Sequence, residues 1–81
     1  MFHVYILRCA DNTLYTGIAL DVEQRVIEHN TSPLGAKYTQ SRRPVKLIFS
    51  KEAGDQAAAS REEYRVKQLS RQQKLALCGL Q

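Results

Sequence analysis

The stretch LRCADNTLYTGIALDVEQRVIEHN, residues 7–30, holds the end of one strand, a turn, a second strand and a helix in 24 positions. Ala10 to Thr13 form the turn, because Asp11 and Asn12 tolerate tight backbone geometry and bond locally. LYTGI (14–18) leaves the turn as a strand in which Tyr15 and Gly17 alternate with Leu14, Thr16 and Ile18. Upstream, FHVYILRC (2–9) is rich in β-branched and aromatic residues and supplies the other strand of a hairpin. Its Phe2, Val4 and Ile6 share one face; His3, Tyr5, Leu7 and Cys9 share the other. Asp21 then caps a helix, with Gln24 three residues on as in a capping box. That helix runs to about Asn30, with Val22 and Val26 inward and Ile27 beside them.

The rest of the chain extends this plan. Residues 30–44 form a long connection with Pro33 and Gly35 near its start and a basic end, and loops of that length are often functional. VKLIFS (45–50) is a third strand and residues 52–55 are a turn. Asp55 caps a second helix through about Leu69, and Ser70 with Gln73 caps a short terminal helix carrying Leu75, Leu77 and Leu80. The order is ββαβαα, an α/β (α+β) class: one small sheet of three strands with helices packed on it, a single domain over residues 1–81.

Composition narrows the class of protein. A chain this short buries roughly 60% of the surface its unfolded state exposes, so its core is thin. With 43% hydrophobic and 25% charged residues it has ordinary globular usage, which argues against disorder. No apolar run is long enough for a transmembrane helix, and the N-terminus lacks a secretory pattern, so no membrane partner and a cytoplasmic location are expected. Cys9 and Cys78 have no second ligand at metal-like spacing and read as small buried hydrophobes. The net charge is +4, and KYTQSRRPVK (37–46) carries four cations without an acid. A basic face suits a polyanion such as nucleic acid, although on charge alone a solvated surface explains it equally well.

Chemistry-bearing residues collect at a few positions. Tyr5 and Tyr15 stand on neighbouring strands, and Gly17 marks a place where another group can approach the backbone closely. Arg25 and His29, four apart, border the Val22/Val26 stripe and can reach round to the sheet. On the second helix Glu62 and Glu63 both lie near the inward stripe set by Ala59, Val66 and Leu69. A carboxylate there needs a cation, a metal or water, and periodicity does not choose between the two.

Tyr5 in HVYIL, Tyr15 to Gly17 in LYTGIA, Arg25 in DVEQRVIEHN and Glu63 in EYRVK together resemble the GIY-YIG nuclease domain, in order along nearly the whole chain. GAKYTQSRRPVKLIFS (35–50) is similar to a second signature of its short stand-alone bacterial members. The resemblance implies an antiparallel three-stranded sheet flanked by helices, and metal-dependent hydrolysis of phosphodiester bonds. It implies that Glu63 holds one divalent ion, Mg²⁺ or Mn²⁺. Glu63 is favoured over Glu62 because the family pattern sets an apolar residue three positions on and then Lys, here Val66 and Lys67. Arg25 is expected to bind the scissile phosphate, Tyr5 and Tyr15 to activate or orient the attacking water, and His29 to assist. Gly17, Lys37, Arg42, Arg43, Arg65 and Arg71 are expected to contact the nucleic acid, DNA ahead of RNA.

The chain departs from the family pattern in three places. Gly-Ile of the first motif is His3-Val4, and Ile of the second is Thr16. Several members carry an asparagine after the glutamate; here Asn occurs only at 12 and 30, which leaves Gln72 or Gln73 as the late polar partner. The activity expected is therefore a weak or structure-selective endonuclease. The alternative is a non-catalytic module that keeps the fold and binds nucleic acid or a protein.

Overall fold

The computed structural model describes residues 1–79. Its elements are β1 (Phe2–Arg8), β2 (Leu14–Ala19), α1 (Val22–Thr31), α2 (Lys37–Gln40), β3 (Lys46–Gly54), α3 (Gln56–Lys67) and α4 (Arg71–Leu77). The expected ββαβαα order holds, with α2 as one short helix added inside the long connection. Leu80, expected on the terminal helix, lies outside the described residues.

The three strands form one sheet in the order β2-β1-β3, antiparallel throughout. The central strand is covered on both faces: Val4, Tyr5, Ile6 and Leu7 are all buried. Alternation then separates two cores. Tyr5, Leu7, Cys9 and Val45 pack with Tyr15, Val22, Val26 and Leu47 under α1. Val4, Ile6 and Val66 pack with Leu14, Ile18, Phe49 and Leu69 under α3. The two free thiols fall on opposite sides, Cys9 in the first cluster and Cys78 against the second.

Local signals set the helix starts. Asp21 accepts from the Gln24 amide at 3.0 Å, and Asp55 from the Ala58 amide at 2.8 Å. Ser70 and Gln73 complete a reciprocal capping box. On α1 the buried side runs through Val22, Val26 and His29, at spacings of four and seven residues. Ile27 falls a step round the helix and is exposed, contrary to the expectation from sequence.

Two further differences from the sequence reading have clear causes. β3 continues past residue 50 to Gly54, because it pairs with β1 along its whole length, out to Phe2↔Gly54. Exposed Lys51 and Glu52, polar residues of an edge strand, hid this extension. The stretch expected as an open loop after Asn30 is instead tied to α1. The Asn30 side chain bonds both ways with the Val45 backbone, at 2.7 and 3.1 Å, and residues 37–40 coil into α2.

The hairpin register sets Tyr5 opposite Gly17. A Cβ at Gly17 would stand 2.5 Å from Tyr5 Oη and 2.7 Å from Tyr5 Cζ, so the glycine makes room for the tyrosine. Gly17→Ala is therefore expected to destabilise the fold by about 1–3 kcal/mol through overpacking, read as a lowered urea midpoint with unchanged slope.

Candidate active site

Tyr5 is fully buried, yet its hydroxyl is not surrounded by hydrocarbon. It lies 2.8 Å from Nε2 of His29, which α1 turns directly onto the first core. His29 has no exposed surface, and its other nitrogen is also engaged: Nδ1 lies 2.8 Å from Thr39 Oγ1 and 3.3 Å from the Ala36 amide nitrogen. Tyr15, half-buried on β2, completes an aromatic group. Its ring centroid is 6.5 Å from that of Tyr5, 5.2 Å from that of His29 and 5.8 Å from that of Tyr38, on which it stacks.

Arg25 stands one helical turn before His29. Its Nη1 donates to Glu28 Oε1 and to the Leu34 carbonyl, both at 2.8 Å. Two of five guanidinium donors are so committed, and the group is close enough to Tyr5 to act on its charge state. Burial raises the Tyr5 pKa to about 12; the neighbouring Tyr15 and the Glu63 charge push the same way, and Arg25 opposes them. Burial lowers the His29 pKa to about 4, helped by Arg25 and Arg43 and opposed by Glu28. Both groups are therefore neutral near pH 7: the tyrosine keeps its proton and the imidazole does not gain a second.

The two α3 carboxylates separate into different environments. Glu62 is bonded by Arg65 and by Lys51, the latter at 3.1 Å, and these cations hold its pKa below the ordinary carboxylate value. Glu63 pairs with Lys67 at 3.4 Å. Of the two, Glu63 is the one whose charge adds, after burial and Tyr15, to raising the Tyr5 pKa. Among the described residues no three His, Cys, Asp or Glu side chains gather as a metal cage. A single half-buried carboxylate fits a hard ion such as Mg²⁺, which retains most of its water and is often held by one or two carboxylates plus phosphate oxygens.

Several expected nucleic-acid contacts have other employment. Gly17 is buried beneath Tyr5 and offers no surface for a ligand's approach; its place at the site is through the tyrosine. Arg43 donates to the carbonyls of His29 and Ser32, both at 2.6 Å, and so satisfies the C-terminal end of α1. Arg42 pairs with Asp11 at 3.0 Å, bonds the Tyr38 carbonyl and lies 4.0 Å above the Tyr38 ring. Lys37 and Arg71 are exposed, on α2 and at the start of α4. Gln73 accepts from the Ser70 amide in the capping box, so it is not a free late partner for Glu63.

Four residues at this site escaped the sequence reading: Glu28, Gly35, Tyr38 and Thr39. GAKYT stood out as a motif, but its contact with His29 spans ten residues and leaves no local periodicity to read.

His29 ties stability to pH. Its folded pKa lies below the ordinary 6.5, so the fold prefers the neutral imidazole. That contribution is complete above about pH 6.5 and is lost as the pH falls toward 4. The melting temperature should fall between pH 6.5 and 5, and His29→Gln should melt lower with most of that slope removed. A wild-type profile flat over this interval would contradict the burial of a neutral His29.

Comparison with known proteins bears on the family of the chain. The family model described as the GIY-YIG catalytic domain matches residues 1–76. A UPF0213 protein of Halobacterium salinarum is 52% identical over 77 residues, covering 95% of this chain and 99% of its own. Another, from Desulfotalea psychrophila, is 51% identical over 74 residues, covering 91% and 67%. The solution NMR structure of a UPF0213 protein from Bacillus halodurans aligns with a TM-score of 0.59 at 42% identity, over 98% of this chain and 84% of that one. The chain belongs to the GIY-YIG family, a nuclease superfamily whose members act on nucleic acid and are generally metal-dependent.

Proposed function

We propose that this protein is a metal-dependent endonuclease that hydrolyses phosphodiester bonds in DNA, with weak or structure-selective activity. The observation that carries this reading is the convergence of Tyr5, Tyr15, Arg25 and His29 in one group that also feels the Glu63 charge. A cation beside two phenols and an isolated carboxylate matches the needs of phosphodiester hydrolysis. The reaction needs a held phosphate, an oriented water and compensation for growing negative charge.

Each residue has a role that follows from its surroundings. Arg25 binds the scissile phosphate by exchanging Glu28 for the phosphate oxygens. The pair is part-buried, and the phosphate replaces one charge-assisted hydrogen bond of the guanidinium with another. Glu63, half-buried and paired with Lys67, would hold Mg²⁺ or Mn²⁺. A divalent ion there supplies positive charge against the transition state. Tyr5 and Tyr15 orient the attacking water, and His29 holds Tyr5 in place. Lys37, Arg42, Arg65 and Arg71 supply the phosphate grip, with Arg43 left out because α1 uses it. Binding through such contacts weakens steeply as salt rises.

The test is cleavage of labelled single-stranded, duplex and branched DNA, with RNA alongside, in Mg²⁺ or Mn²⁺. Wild type should cleave DNA, with one structure preferred. Glu63→Gln should lose at least about 100-fold in rate, as expected when metal charge stabilisation is removed, while still binding. Equal cleavage by both proteins contradicts the role of Glu63. Salt-sensitive binding without cleavage by wild type points instead to a non-catalytic binding module.

A further inference from the structure

The segment between α1 and β3 packs on α1 at one point with unusual closeness. A Cβ at Gly35 would stand 2.7 Å from the Glu28 carbonyl oxygen and 2.8 Å from His29 Cα, so only glycine allows the backbone to lie there. The contact brings Ala36 and Thr39 onto the His29 ring. Thr39 is as completely buried as His29 itself. A buried hydroxyl must be hydrogen-bonded to be tolerated, and this one has two neighbours: His29 Nδ1 at 2.8 Å and the Ala36 carbonyl, to which it donates at 2.8 Å.

Counting protons decides the direction of the chain. A threonine hydroxyl has one proton and a neutral imidazole has one N–H. If the imidazole proton is on Nδ1, that group donates to Thr39 Oγ1 and Thr39 donates to the Ala36 carbonyl. The bare Nε2 then accepts from the Tyr5 hydroxyl. Three contacts of 2.8 Å are satisfied in one direction, and only the longer Ala36 amide contact of 3.3 Å is given up. If the proton is on Nε2, the single Thr39 proton cannot serve both Nδ1 and the Ala36 carbonyl. One 2.8 Å contact is then left without a proton between two acceptors. Each arrangement makes three of the four contacts: the second keeps the Ala36 amide bond of 3.3 Å at the expense of a 2.8 Å one, and the first keeps all three contacts of 2.8 Å, so the shorter contacts favour the first.

We infer that Thr39 is a positioning residue that holds His29 as the Nδ1–H tautomer and thereby fixes the Tyr5 hydroxyl as a donor into the protein. The consequence rests on the nuclease reading above. Tyr5 presents only lone pairs toward Arg25 and the attacking water, and it orients that water by accepting a hydrogen bond from it. With the opposite tautomer Tyr5 would accept from His29 and point its own proton at the water or the phosphate. The raised Tyr5 pKa and lowered His29 pKa agree with a proton that stays on the phenol.

Side-chain nitrogen NMR of histidine-labelled protein at neutral pH reads the tautomer directly, with the His29 signals assigned by their loss in His29→Gln. Wild type should show a protonated Nδ1 and a bare Nε2. Thr39→Val, nearly the same shape, removes the acceptor for Nδ1–H, and the proton should move to Nε2, where the Ala36 amide can then donate to Nδ1. Thr39→Ser should restore the wild-type pattern. A wild-type proton on Nε2, or a folded Thr39→Val with unchanged tautomer, overturns the inference. In the cleavage assay Thr39→Val should lower kcat at least about tenfold with little change in KM, and Thr39→Ser should recover it. The nitrogen spectra stand whether or not wild type cleaves, so a protein that shows the Nδ1–H pattern and no cleavage overturns the nuclease reading alone.

Discussion

A neutral histidine with no exposed surface, bonded at both ring nitrogens, is the constraint around which this small fold is arranged. Burying an imidazole is tolerable only if both nitrogens are satisfied. One partner comes from the central strand, as Tyr5, and the other from the connection after α1, as Thr39. The side chain therefore joins three elements distant in sequence. Much of the neighbouring structure serves the same end. Gly17 gives the Tyr5 ring its space, Gly35 lets the connection touch α1, and Arg43 and Asn30 tie the last turn of that helix down. In a chain with so little core, polar contacts carry positional information that a larger protein would take from packing.

This arrangement shows how so buried a tyrosine keeps a polar environment for its hydroxyl. The Tyr5 ring fills the cluster under α1, and its oxygen lies against His29 with Arg25 and Tyr15 close enough to act on its charge state. The two faces of the sheet contribute differently. The α1 side contributes the phenols, the imidazole and the guanidinium. Glu63 comes from α3, the helix that covers the other core. The charged members rest in short-range ion pairs, Arg25 with Glu28 and Glu63 with Lys67, so neither charge is stranded before a ligand arrives.

The strands, the turn at Asp11-Asn12 and the starts of α1, α3 and α4 were legible in the sequence because each rests on local chemistry: alternation, turn residues and capping side chains. The landmarks Tyr5, Tyr15, Arg25 and Glu63 were legible as a pattern. The tertiary uses of polar groups were not. Arg43 looked like part of a basic grip, and nothing within a few residues of it signals that it bonds carbonyls of α1. The burial of His29 depends on Tyr5, 24 positions before it, and on Thr39, ten after. The extension of β3 through Lys51 and Glu52 was hidden because an edge strand tolerates polar residues where a buried strand would not.

In the proposed function Arg25, Tyr15 and Glu63 meet one phosphodiester group. The most direct measurement is a backbone and arginine side-chain NMR titration with a short DNA strand containing a cleavage-resistant phosphorothioate, in Mg²⁺. Shifts are expected at the Arg25 guanidinium, at Tyr15 and at Glu63, with the Arg43 guanidinium unchanged in its capping bonds. Shifts confined to Arg71 and the rest of α4, with Arg25 and Glu63 unmoved, would contradict the proposed function.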